Sequence, residues 1–157
     1  MANNSALHHL HLSHSSIGDV EVKALCVGLT TNHGLFDLRL SNNTIGDPGA
    51  TALSLVLAKC KALRDLDLTG NEVEDAGATA LAKGLRKNKS LKILALSYNS
   101  IEDEGCKAIA ESLRVNETLT TLHLSDNCID VLGAEALGDV LQVCHNYYVG
   151  GSEDLNI

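Results

Sequence analysis

The sequence repeats itself at one fixed period, and this self-similarity constrains the fold more than any other feature. Five consecutive rows of equal length fit between residues 7 and 146 without an insertion. A leucine opens each row and recurs three and five positions later, as at Leu63, Leu66 and Leu68. A fixed period of about 20–50 residues is typical of proteins that stack one structural unit many times. The predicted repeats are residues 7–34, 35–62, 63–90, 91–118 and 119–146.

Each row has the pattern of a short strand followed by a helix. Apolar and polar residues alternate around the second and third leucines, which predicts a strand with one buried face. In four rows an asparagine follows, and its amide can satisfy backbone groups in a tight turn. In four rows an aspartate then stands where we expect the N-cap of a helix, with Pro48 directly after one of them. The predicted helix buries two leucine columns and one alanine column, which comprises Ala24, Ala52, Ala80, Ala108 and Ala136.

Stacking such units predicts a curved α/β solenoid. Parallel strands lie about 4.8 Å apart, whereas packed helices need about 9 Å, so each repeat should turn by roughly 24°. The parallel sheet then lines the concave side of a short horseshoe arc and the helices line the convex side. We expect residues 1–157 to form one such domain, with residues 147–157 as a C-terminal tail or partial cap. Open solenoid ends also favour self-association.

The pattern LxxLxLxxNxIxxxGxxxLxxxL resembles the leucine-rich repeat of the ribonuclease-inhibitor-like subfamily, over 140 of 157 residues. The uniform length of the rows and the small number of cysteines make this sequence most similar to the repeat region of NOD-like receptors. This resemblance implies a non-catalytic module that binds a protein partner through its concave face, in innate immune sensing or its regulation. One alternative is a GTPase regulator resembling Ran GTPase-activating protein, for which Arg39 and Asn42 are the residues to suspect. A self-associating scaffold is the other alternative.

Strand geometry selects the residues of the concave face, which flank the second leucine of each row or lie just beyond the strand. They form an acidic patch beside Arg39 in the middle and a small apolar spot around Ile93 and Tyr98. An exposed aromatic side chain with a polar surround is typical of a binding anchor, so we predict Tyr98 as the main one. Scattered apolar residues are also normal on protein surfaces, so the alternative that Ile93 and Tyr98 are ordinary surface residues stays open. The predicted partner-binding residues are Asp37, Arg39, Asp65, Asp67, Ile93, Tyr98, His123 and Asp126.

Four of the seven histidines fall in the segment HHLHLSH at the start of the first row. His9 and His11 project from one face of a strand about 7 Å apart. This spacing suits a shared zinc ion, with Asp37 of the next strand as a carboxylate ligand. However, no fourth ligand is evident, and histidines on an edge strand also discourage unwanted pairing. The sequence therefore predicts no metal and no other cofactor, with His9 and His11 as the alternative zinc ligands.

Composition and motifs exclude several functional classes. The formal charge of −8, from 20 acidic and 12 basic residues, argues against nucleic acid and anionic membranes as partners. The sequence has neither a long apolar run nor the pattern of a secretory signal, so we expect no membrane segment. Five cysteines at unrelated spacings are typical of free thiols, which favours a cytoplasmic location. Phosphate-binding loops of the GxxxxGK[ST] and GxGxxG types are absent, and we expect no enzymatic activity.

Overall fold

The computed structural model describes residues 4–146, which form five strand–helix units in chain order. The strands begin at equal intervals along the chain, and the helices do too. The strands are β1 (His9–His11), β2 (Asp37–Arg39), β3 (Asp65–Asp67), β4 (Ile93–Ala95) and β5 (Thr121–His123). The helices are α1 (Asp19–Leu29), α2 (Asp47–Lys59), α3 (Asp75–Leu85), α4 (Asp103–Leu113) and α5 (Val131–Asn146). The segment predicted as a tail or partial cap, residues 147–157, lies outside the described residues.

The strands form one parallel sheet in the order β1-β2-β3-β4-β5. Their register is uniform, because the central leucines pair with one another, as Leu38 with Leu66 and Leu66 with Leu94. These three leucines are completely buried and face the helices. The residues on either side of each leucine therefore project from the opposite, concave face. The curved solenoid with a concave parallel sheet and convex helices is confirmed.

The helices complete the core with a stripe that differs from the predicted one. Ala50 and Ala78 have no exposed surface, whereas Ala52 and Ala80 of the predicted alanine column are only half-buried. The buried stripe of α2 contains Ala50, Leu53 and Leu57, and the alanine column lies at its edge, so that part of the prediction is wrong. None of the helices within residues 4–146 has the length and hydropathy needed to cross a lipid bilayer.

The asparagines that follow the strands link each repeat to its neighbours. Nδ2 of Asn71 donates to the Leu68 carbonyl of its own repeat and to the Leu40 carbonyl of the preceding one, both at 3.0 Å. Its Oδ1 accepts a hydrogen bond from the backbone N–H of Ile45 at 3.1 Å. The prediction that this amide satisfies turn backbone is confirmed, and the bonds cross repeats. The same arrangement recurs at Asn43, Asn99 and Asn127.

The aspartates at the helix starts form a second link. We predicted that each caps its own helix, and this is wrong. Oδ1 of Asp47, the first residue of α2, accepts hydrogen bonds from the N–H groups of Glu74 (2.9 Å) and Gly77 (2.7 Å). It therefore caps α3, where the positive end of the helix dipole favours a carboxylate. Asp19, Asp75 and Asp103 cap the following helices in the same way.

Asparagines at the helix ends form a third link, which the sequence analysis missed. Nδ2 of Asn116 donates to the Leu85 carbonyl of the preceding repeat at 2.7 Å. Its Oδ1 accepts from the backbone N–H groups of Thr118 and Leu119, both at 2.9 Å. Asn88 makes equivalent bonds one repeat earlier and is only 1% exposed. The loops from α3 to β4 and from α4 to β5 are thus each held by the repeat before them.

The terminal repeats are less well covered than the middle ones. Leu7, before β1, is 46% exposed, and Leu141 on α5 is 71% exposed. The corresponding leucines of the central repeats, such as Leu63 and Leu85, are almost completely buried. Each central repeat is covered by a neighbour on both sides, whereas the first and last described repeats have one neighbour each. Self-association through these ends stays a prediction.

Replacing Asn99 by leucine should lower the free energy of unfolding by about 3 kcal/mol, because buried carbonyls of Leu68 and Leu96 and the N–H of Val73 lose their partner. Urea unfolding followed by circular dichroism measures the change. The exposed neighbour Ser100 provides the control, since Ser100→Ala should change stability by less than about 0.5 kcal/mol. Equal stability of Asn99→Leu and the wild type would show that the hydrogen bonds of the turn asparagines do not hold the repeats together.

Candidate functional site

The concave face presents its side chains in three rows that run across the strands. The first row comprises His9, Asp37, Asp65, Ile93 and Thr121, which are in register. The second row comprises His11, Arg39, Asp67, Ala95 and His123. The third row lies in the turns after the strands and comprises His14, Asn42, Gly70, Tyr98 and Asp126. All eight residues that we predicted to bind a partner lie in these rows.

The third row has a backbone constraint that the sequence analysis did not recognise. All five of its residues have φ between 54° and 67°, in the left-handed region. Glycine, asparagine and aspartate tolerate this region, and Gly70, Asn42 and Asp126 occupy three of the positions. Their recurrence in one column was the available sequence signal. The other two positions carry His14, at φ 56°, and Tyr98, at φ 54°, and a bulky side chain there costs about 1–3 kcal/mol.

Tyr98 is also the one exposed large apolar residue on the concave side of the described chain. It is 61% exposed, whereas the others lie on the helices, after α4 or before β1. Ile93 is only half-buried and lies at the start of β4, whereas Tyr98 lies beyond its end. Ile93 belongs to the first row of the concave face and Tyr98 to the third. Tyr98 is therefore the more exposed of the two and the stronger candidate anchor, while the apolar spot around Ile93 and Tyr98 stays a prediction.

Asp37 lies beneath its neighbours and is not part of an open acidic patch. Its Oδ2 lies 3.3 Å from His9 Nδ1, 3.2 Å from His11 Nε2 and 3.3 Å from Arg39 Nη2, and the residue is only 8% exposed. Burial pushes the pKa of Asp37 upward, but hydrogen bonds from His11, His9 and Arg39 outweigh it and lower the pKa below its ordinary value. We predicted Asp37 as a partner contact. The structure instead shows a carboxylate engaged with its own chain.

The remaining charges of the patch belong to Asp65, Asp67 and Arg39. Burial, and then the negative charge of Asp37 on the adjacent strand, raise the pKa of Asp65. The hydrogen bond to Asp37 raises the pKa of Arg39, so its guanidinium stays charged. Asp67 is half-buried, and its Oδ1 accepts from the N–H of Thr69 at 2.9 Å, which fixes the turn after β3. Arg39 therefore balances part of a local excess of carboxylates.

The C-terminal part of the concave face carries the other two predicted contacts. His123 on β5 and Asp126 in the following turn are both exposed. Asp126 is next to Tyr98 in the third row, since the backbone N–H of Tyr98 donates to the carbonyl of Ser125 at 2.9 Å. The exposed tyrosine thus has polar neighbours on the last strand, which is the arrangement of an aromatic anchor with a polar surround.

Comparison with known proteins gives a family and a fold. A family model described as "Leucine Rich repeat" matches residues 3–26, 32–54, 59–82, 87–110 and 115–138. No curated protein matches the chain significantly. Among solved structures, "Leiomodin-1 Actin-Binding Site 2 (ABS2)" is similar, with a TM-score of 0.75, 20% identity and coverage of 94% of this chain and 88% of that one. The tropomodulin C-terminal domain of Caenorhabditis elegans gives a TM-score of 0.67, with 14% identity and coverage of 95% and 93% respectively. At these identities the similarity shows a shared fold.

Replacing Asp65 by asparagine should stabilise the protein at about pH 7. The raised pKa of Asp65 means that the folded chain disfavours its ionised form, so ionisation destabilises the fold above that pKa. Because the residue is partly exposed, we expect a gain of only a few tenths of a kcal/mol. The gain should vanish below the unfolded-state pKa of about 3.9. Urea unfolding at both pH values tests this, with the exposed Asp139→Asn as control. A loss of stability at neutral pH would contradict it.

Replacing Asp37 by asparagine should have the opposite effect on the free energy of unfolding. Its lowered pKa means that the ionised form stabilises the fold above the unfolded-state pKa, and that this contribution is lost as the pH falls through the folded-state pKa. We expect Asp37→Asn to lower the free energy of unfolding at neutral pH by about 1–2 kcal/mol. The same urea titrations measure it, and a variant as stable as the wild type would show that the contacts to His9, His11 and Arg39 contribute nothing.

Proposed function

Because the chain belongs to the leucine-rich-repeat family, we propose that it is a non-catalytic module that binds a protein partner through its concave face, with Tyr98 as the main anchor. The exposure of Tyr98 at a left-handed backbone position carries this proposal. Residues held in unfavourable backbone conformations cluster at binding and switch sites. Tyrosine is also among the residues that contribute most to protein interfaces when a partner buries them.

The surroundings of Tyr98 indicate the chemistry of the partner. Asp126 and His123 are exposed on its C-terminal side, and Asp67 is half-buried on the N-terminal side. Gly70, the neighbour of Tyr98 in the third row, has no side chain, which leaves one flank of the ring open. A suitable partner would offer an apolar pocket for the ring with basic groups around it. The overall charge of −8 favours the same complementarity.

Actin is the first partner to test, since a similar solved structure is named as an actin-binding site of leiomodin-1.

The ribonuclease-inhibitor-like subfamily, the relation to NOD-like receptors and a role in innate immunity stay predictions. So does the alternative of a GTPase regulator. That alternative would require Arg39 to leave Asp37, to which its Nε and Nη2 now lie at 3.3 Å.

Replacing Tyr98 by asparagine should abolish partner binding without a loss of stability. An anchor of this kind contributes about 2 kcal/mol or more, so the affinity should fall at least about 30-fold. Asparagine tolerates the left-handed backbone, as Asn42 does in the same row, so the melting temperature should stay equal or rise. Co-sedimentation with actin filaments, capture from a cell lysate and thermal unfolding give the three measurements.

The matched control is Leu55→Gln on α2, which removes an equally exposed apolar side chain, 57% exposed, from the convex face. It should leave binding unchanged. If actin does not bind but the wild type captures another protein that Tyr98→Asn loses, the concave site stands and actin is wrong. If Tyr98→Asn binds every partner of the wild type equally well, Tyr98 is not the anchor. Loss of binding in Leu55→Gln alone would place the site on the convex face.

A further inference from the structure

The first two strands bring three potential metal ligands together at the N-terminal edge of the sheet. His9 Nδ1, His11 Nε2 and Asp37 Oδ2 belong to one cluster, in which the ligand atoms all lie within 4.8 Å of one another. The two histidines come from β1 and the aspartate from β2. Two imidazole nitrogens and one carboxylate oxygen are a ligand set that zinc accepts, with one position left for water.

The distances in this cluster are close to those of a tetrahedral zinc site. Zinc bonds of about 2.0–2.1 Å place neighbouring ligands roughly 3.3 Å apart. The carboxylate oxygen already lies 3.3 Å from His9 Nδ1 and 3.2 Å from His11 Nε2. Only the two imidazole nitrogens have to approach each other. Both histidine side chains are more than half exposed, at 64% and 52%. Rotation of these side chains on the solvent side is therefore sufficient to bring their nitrogens together.

The electrostatics of the cluster suit a divalent cation. Asp37 is ionised at neutral pH and accepts hydrogen bonds, so the imidazole nitrogens that face it carry protons when no metal is bound. A metal that binds these nitrogens would displace their protons, and in a neutral imidazole the ring proton would move to the other nitrogen. Asp65, which is in register with Asp37, adds a second negative charge beside the site.

Arg39 orients the carboxylate and also competes with the cation. Its Nε donates to Asp37 Oδ1 at 3.3 Å, which leaves Oδ2 directed towards the histidines. Such an outer hydrogen bond is what holds the carboxylate ligands of metal sites in place. Its Nη2, however, lies 3.3 Å from Oδ2 and brings a positive charge to the metal position. The guanidinium would therefore weaken metal binding while it fixes the ligand.

We propose that His9, His11 and Asp37 form a zinc site that fastens β1 to β2. The ligands come from both strands, so a bound ion would add a link between the first two repeats. The first repeat is one of the two that lack a neighbour, since β1 is an edge strand of the sheet and Leu7 beside it is 46% exposed. His8 takes no part, because its Nδ1 lies 3.0 Å from the Gly34 carbonyl and its ring stacks on Phe36.

Isothermal titration of the metal-free, reduced chain with zinc chloride tests the site, together with thermal unfolding at saturating zinc. We expect one ion per chain and a higher melting temperature. His9→Ala and His11→Ala should each weaken binding by about 100-fold or more and remove the thermal shift. The matched control His33→Ala removes an exposed imidazole outside the cluster and should behave as the wild type. Cys128→Ser, which removes an exposed thiol, should also retain binding.

A second pair of variants separates metal binding from folding. Arg39→Gln should tighten zinc binding by about tenfold, because a positive charge leaves the site while the ligands remain. Asp37→Asn should lose zinc binding at a temperature where it is still folded by circular dichroism. A dissociation constant above about 1 mM for the wild type, an unchanged one in the two histidine variants, or no tightening in Arg39→Gln would overturn the proposal. Loss of binding in Cys128→Ser would place the ion on a thiol instead.

Discussion

Hydrogen bonds between the side chains of one repeat and the backbone of a neighbouring repeat hold this structure together. The turn asparagines donate to carbonyls of two repeats, and the helix-start aspartates accept from the N-terminus of the following helix. The partners that belong to different repeats are 26 to 31 residues apart in sequence. An insertion in any row would separate an aspartate or asparagine from its partner and leave buried backbone groups unsatisfied. This requirement explains why all five rows have the same length.

The same hydrogen bonds between repeats explain which side chains the repeat requires and which can vary. Asp103 approaches α5 so closely that a Cβ at Gly133 would lie 2.7 Å from its Oδ1 and 2.8 Å from Ile129 Cγ2. The same crowding explains the glycines at the equivalent positions of the other rows, Gly49, Gly77 and Gly105. The three rows of the concave face make no such contacts between repeats in most positions, and their residues differ from strand to strand. The scaffold therefore fixes where these side chains lie, while their chemistry can vary with the partner.

The leucine spacing was sufficient to predict the strands, the helices and the side of the sheet on which each residue lies. The aspartate caps were assigned to the wrong helix because capping rules describe a local segment, whereas stacking places each carboxylate over the neighbouring helix. The burial of Asp37 depends on side chains from two strands, so a single-strand pattern could not predict it. The left-handed column was readable from Asn42, Gly70 and Asp126, but the tyrosine in it obscured the signal.

The two ends of the concave face differ in how their side chains are engaged. At the N-terminal end, Asp37 gathers His9, His11 and Arg39, and the charges there are satisfied within the chain. Towards the C-terminal end, Tyr98 stands exposed at a position where every row has the left-handed backbone and where the fold does not require a tyrosine. One strand, β3, lies between β2 and β4, which puts about 10 Å of sheet between Asp37 and the strand that precedes Tyr98. At that separation, without shared contacts, an ion at one end and a partner at the other should bind independently.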